Sequence, residues 1–117
     1  MSKFEIMTKG RKRWGQTYPA QPTGLFAEIT DGTLHLTGTY SNRAVDIKFK
    51  VGDTAEYDSY NLHYLGKITK ITDKCVTIEP RFGGRTRRLD LYAFAWRNHD
   101  FDLERISARN AETSMYI

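Results

Sequence analysis

Two short stretches hold the residues best suited to a charged partner. The first is Arg81-Phe82-Gly83-Gly84-Arg85-Thr86-Arg87-Arg88, four guanidinium groups within eight residues and no acid among them. Arginine offers a planar fork of donors that matches phosphate oxygens, and adjacent glycines let a backbone come close to a nucleic-acid strand. Phe82 beside them presents a ring on which a base can stack. The second is Lys9-Gly10-Arg11-Lys12-Arg13-Trp14, a basic run that ends in an indole. Such a segment neutralises phosphates and releases their counterions. Both stretches also have a plainer reading. Arg81, Arg85, Arg87 and Arg88 can pair with Glu79, Asp90 or acids nearer the C-terminus, and Trp14 is expected to anchor its segment in the core, as tryptophan usually does.

The charge distribution favours a polyanionic partner. The 117-residue chain carries a net charge of +4, and the excess sits in the two basic stretches. Residues 1–24 hold five Lys/Arg against one acid, residues 81–88 hold four Arg against none, and the remainder is slightly acidic. Local clusters on an otherwise acidic body make a directed surface field, which a uniformly basic protein lacks.

Catalytic chemistry has little to build on. Cys75 is a single cysteine beside Lys74, and a nucleophilic thiol needs a base that only the fold can bring. His35, His63 and His99 lack metal-ligand spacing, and no paired-cysteine motif exists, so no metal site is expected. Asp53, Glu56 and Asp58 are close in sequence, but Asp53 is committed to a turn. Asp100 and Asp102 fit the start of a helix better than a nuclease site. Gly83-Gly84 lacks the spacing of a phosphate-cradling loop. The expectation is a protein that is no enzyme and needs no cofactor.

The elements that position these residues are mostly strands. Phe4 to Met7 reads as a first strand, and residues 1–24 otherwise as a basic arm or irregular segment. Residues 25–117 read as a single domain. Leu25–Ile29 and Thr33–Tyr40 flank Asp31-Gly32, a strong hairpin signal. Ser41-Asn42 is the next turn, followed by the alternating Val45, Ile47 and Phe49. Tyr92, Phe94 and Trp96 fit either a continued strand or a short helix capped by Asp90, the helical reading placing Leu89, Tyr92 and Trp96 on one face. A further helix is expected near residues 101–110. No apolar run approaches a membrane span, and the N-terminus lacks a signal-peptide core, so a cytoplasmic protein is expected.

The stretch from Phe49 to Pro80 organises the rest. Val51-Gly52-Asp53 turns into an alternating strand, Ile68 and Ile71 are three apart and demand a bulge, and Val76 and Ile78 bring a further strand back. This pattern resembles the hairpin core of a small SH3-like barrel, as in KOW and Tudor modules. The resemblance implies a mainly β fold, an SH3-like or related barrel with one or two short C-terminal helices. It also implies a ligand groove near Tyr57, Tyr60, His63 and Tyr64. The function expected is non-enzymatic binding of DNA or RNA through Arg81–Arg88 and Lys9–Arg13, with Phe82 and Trp14 stacking. The alternative is a protein-binding adaptor or inhibitor, such as a phage- or plasmid-encoded accessory protein acting on a larger nucleic-acid-handling complex.

Overall fold

The computed structural model describes residues 3–59, 62–81 and 83–102. Ten strands and one helix follow in order: β1 (Phe4–Met7), β2 (Arg11–Arg13), β3 (Gln16–Tyr18), β4 (Pro22–Thr30), β5 (Thr33–Tyr40), β6 (Arg43–Lys50), β7 (Thr54–Ser59), β8 (Leu62–Ile71), β9 (Cys75–Pro80), β10 (Arg87–Asp90) and α1 (Leu91–Asn98). One four-stranded sheet has the order β1-β4-β5-β6, a second has β10-β9-β8-β7, and β2-β3 is a separate hairpin. All pairings are antiparallel.

Local turn chemistry sets the registers. Asp31 and Gly32 both have positive φ, 51° and 75°, as do Ser41 and Asn42 at 49° and 65°. Two consecutive positive-φ residues make the turn whose twist matches that of paired strands. Leu34 and Leu36 on β5, and Val45 and Phe49 on β6, then fall on the buried side. Gly38 permits a close approach, because a Cβ there would overlap the carbonyl oxygen of Gly24. The expected irregularity on β8 is present as a register shift between Ile68 and Lys70.

The two sheets enclose one apolar core, and the described residues adopt the mainly β class with one short helix. A closed barrel is not formed, since the four-stranded sheets share no strand among the described residues. Where β6 passes into β7, the Gly52 N–H donates to Ile68 O and the Ile68 N–H donates to Asp53 O, both at 2.8 Å. On the other side β10 is only four residues long and turns at once into a helix, so it cannot run on to pair with β1. A cleft of about 460 Å³ remains between β1 and the start of α1.

The helix bridges the gap. The Asp90 carboxylate accepts from the Ala93 N–H at 2.7 Å, the N-cap bond that starts α1. That start buries Leu91, Phe94, Ala95 and Asn98, while Leu89 stays on the strand and packs half-buried against the core, as does Tyr92. Trp96 is accordingly exposed. The Phe94 ring meets Phe49 of the other sheet edge-on, with centroids 5.0 Å apart. Asn98 is fully buried and satisfied: its Oδ1 accepts from the Glu56 N–H at 2.8 Å, and its Nδ2 donates to Glu56 O at 2.9 Å and Phe94 O at 3.1 Å. Asp100, Phe101 and Asp102 are not helical, and the rest of the helix expected near residues 101–110 lies outside the described residues.

Replacing Asn98 by Ala strands a buried N–H and a buried carbonyl on β7. Unfolding in denaturant should show a loss of about 3 kcal/mol. A loss below about 1 kcal/mol would show that the clamp is dispensable.

Candidate nucleic-acid interface

Within the segment read as a basic arm or irregular segment, β2 and β3 pair as a solvent-exposed hairpin. Register pairs Arg11 with Tyr18, Lys12 with Thr17 and Arg13 with Gln16. The chain reverses at Trp14 and Gly15, both at positive φ, 56° and 74°. Cross-strand partners share a face, so Arg11, Arg13, Gln16 and Tyr18 line one side and Lys12 and Thr17 the other. The Arg11 guanidinium sits 5.7 Å from the Tyr18 ring centroid, and the Tyr18 hydroxyl donates to Gln16 Oε1 at 2.9 Å. At the foot, the Thr8 N–H donates to Gln21 O and the Gln21 N–H to Thr8 Oγ1, both at 2.8 Å. Every residue from Lys9 to Pro22 is exposed.

Trp14 is 87% exposed, which overturns the expectation that it anchors in the core. The physical reason is its place in a two-residue turn, whose side chains point away from a ribbon with no apolar face of its own. Tyr18 and Gln16 were missed at the level of sequence. The signal was Gly15, with three residues on either side of Trp14-Gly15 ready to pair.

The arginine-rich loop also reverses as a hairpin, with Gly83 and Gly84 at φ 87° and 106°. Arg85, Arg87 and Arg88 are exposed, and none of them meets a carboxylate at ion-pair distance among the described residues. Asp90, one proposed partner, is occupied in capping α1. Arg81 is held at the end of β9, where its N–H donates to Leu65 O at 3.2 Å. Phe82 lies outside the described residues.

Tyr57 and Tyr64 stack with centroids 5.6 Å apart and planes at 19°, and Arg87 lies 5.8 Å from the Tyr57 centroid. Arg87 and Tyr57 belong to opposite edge strands of one sheet. Strands about 4.8 Å apart would hold those edges about 14 Å apart if the sheet were flat, so the contact reports a strongly coiled sheet. Tyr57 is part of the core and Tyr64 packs half-buried against it. Burial pushes the Tyr57 phenol above its ordinary pKa, while the Arg87 charge acts in the opposite direction. Tyr60 lies outside the described residues, and His63 is placed by register alone, opposite Asp58.

The two basic clusters are separate but connected by an edge. Lys9, at the hairpin's foot, lines the cleft beside β1 with Lys74 and Asp90. Asp90 pairs with Cys75 at one end of β9, and the arginine loop begins after Pro80 at the other, about 17 Å away at strand spacing. Arg87 and Arg88 lie between them on the edge strand β10.

The other titratable groups are dispersed. His35 Nε2 lies 2.6 Å from Asp46 Oδ1, and this bond holds the exposed Asp46 carboxyl below its ordinary pKa. The His99 ring lies against Tyr40, centroids 4.2 Å apart and planes tilted by 34°, with Nδ1 at the carbonyl of Trp96. Cys75 Sγ is 3.6 Å from Thr72 Oγ1. Among the described residues no group of three or more His, Cys, Asp or Glu gathers as a metal site, and no helix is long and apolar enough to cross a membrane. Compared with protein-family models, with curated proteins and with solved structures, the chain matches none.

Two measurements probe this geometry. Trp14→Asn should leave the fold intact and raise its stability by about 0.5–1 kcal/mol, because Asn tolerates positive φ and Trp14 makes no core contact; a lower melting temperature would contradict the exposed-turn assignment. Tyr57, its folded pKa raised, should contribute stability that is complete below the ordinary tyrosine value and is lost as pH rises through the Tyr57 value. Carbon-13 NMR of the tyrosine ring carbons should show Tyr57 titrating above the ordinary tyrosine value, and higher still in Arg87→Ala. Titration at or below the ordinary value would contradict the burial argument.

Proposed function

We propose that the protein binds nucleic acid non-enzymatically, through phosphate contacts made by the β2–β3 hairpin and the arginine-rich loop. The observation that carries this reading is the set of exposed cations without carboxylate partners among the described residues: Arg11, Lys12 and Arg13 on the hairpin, Arg85, Arg87 and Arg88 on and beside the loop. Unpaired surface cations at this density repel one another, and a polyanion relieves that repulsion while releasing its own counterions. A strand laid from the loop along the β10 edge to the hairpin foot and tip would meet these cations in turn. Contacts of this kind supply affinity with little sequence preference, for DNA and RNA alike.

Arg, Tyr and Trp are also the residues enriched in protein interfaces, and the exposure of Trp14 and Tyr18 beside Arg11 favours an adaptor or inhibitor as the second reading. Salt separates the two. Labelled single-stranded DNA, duplex DNA and RNA should bind at about micromolar affinity or tighter in low salt. Changing Arg11, Lys12 and Arg13 together to Ala, or Arg85, Arg87 and Arg88, should weaken all three. Each change should also flatten the dependence of log affinity on log salt by about two. No binding to any of the three in low salt would overturn the nucleic-acid reading and direct the search to a protein partner.

A further inference from the structure

We infer that the hairpin recognises a single strand, with Trp14 stacking on the face of an unpaired base while Arg11 and Arg13 hold the neighbouring phosphates. This rests on the nucleic-acid reading above and specifies its substrate. The indole stands at the apex of the ribbon, 87% exposed, on a residue with φ 56°. Turns of this kind are normally built from Asn, Asp or Gly, so turn formation does not account for tryptophan there. Packing does not account for it either, because the whole segment around it is exposed. What remains is a flat aromatic surface carried beyond the body by a basic ribbon.

The partner chemistry follows from what that surface can contact. In an intact duplex the base faces are occupied by one another and only their edges reach the grooves. Indole has one N–H donor and no acceptor, so it reads edges poorly. Entering the stack would require unstacking a base step. An unpaired base offers its face without that cost, and stacking on it tolerates any base identity. Tyr18, 42% exposed, supplies a second ring on the side of the ribbon that carries Arg11 and Arg13. Its ring is held by the Arg11 contact and by the hydroxyl bond to Gln16. Rings and guanidinium groups are thus carried together on one ribbon, the two kinds of group that meet the bases and the phosphates of one strand.

The chain has two tryptophans, so Trp96→Phe leaves Trp14 as the sole indole reporter. Oligo-dT and oligo-rU should each quench its emission saturably, in step with binding followed by anisotropy of the labelled strand, and the two arms separate DNA from RNA. In the protein that retains Trp96, Trp14→Ala should weaken single-strand binding about tenfold and duplex binding little, while Trp14→Phe keeps most of the affinity. Binding without quenching, or an equal loss on duplex, would overturn the stacking role and leave the nucleic-acid reading standing. Quenching or a blue shift with anionic phospholipid vesicles, and none with oligonucleotides, would assign the tip to a lipid surface instead. No binding to either nucleic-acid form in low salt would remove both readings together.

Discussion

The fold depends on one side chain that completes a sheet edge. Asn98 exchanges two hydrogen bonds with the backbone of Glu56, as a neighbouring strand residue would. Strand β7 is the edge of its sheet, and without that partner its buried N–H and carbonyl would have to go unsatisfied. The same helix places Phe94 against Phe49 of the other sheet. One short helix therefore joins two sheets that, among the described residues, backbone hydrogen bonds link at the Gly52–Ile68–Asp53 corner where β6 passes into β7. Its eight residues are too few to be stable alone, so the helix and the sheets order each other.

This arrangement leaves the two basic elements with different mechanical characters. The core draws on Ile6 and then on nothing until Leu25, so the β2–β3 hairpin is attached to the body without contributing to its apolar interior. Its shape comes from its own cross-strand pairs and from the Thr8–Gln21 bonds at its foot. The arginine-rich loop is tied in more firmly, since Arg87 lies on the Tyr57 ring, which is in the core. A partner that meets both would be gripped at the loop and followed by the hairpin.

Much of the fold was legible in residue types. Asp31-Gly32 and Ser41-Asn42 announce tight hairpins, and the alternation of Leu34 with Leu36 and of Val45 with Phe49 says which face is buried. The spacing of Ile68 and Ile71 requires the bulge that is found. Asp90 announces a helix start, although the cap, and not the spacing of Leu89, Tyr92 and Trp96, decides which face turns inward. Sheet closure was not legible, because it depends on where β10 stops and α1 begins. Nor was the Asn98 clamp, since a polar residue late in a short helix looks like surface until its partner, 42 positions earlier, is known. The meeting of Arg87 with Tyr57 joins two stretches that sequence treats as separate, and only the coil of the sheet brings them together. The basic candidates were found by charge, but the hairpin that presents one set of them was hidden by a tryptophan in a position where turn residues are expected.

That tryptophan is the clearest conflict between local preference and placement in the described chain. The same kind of turn occurs twice more, at Asp31-Gly32 and Ser41-Asn42, with residues that tolerate positive φ or bond their own backbone. Those two turns serve strands that bury core residues, and their composition is what hairpin formation by itself demands. At Trp14 the chain accepts a left-handed backbone that costs a bulky residue about 1 kcal/mol, and it leaves a large apolar ring in water as well. Neither cost is recovered inside the fold. Sequences that specify one structure agree at every level except where function intervenes, so an unrecovered local cost points outward. Here it points to whatever meets the end of a basic ribbon, and it does so independently of the charges that flank it.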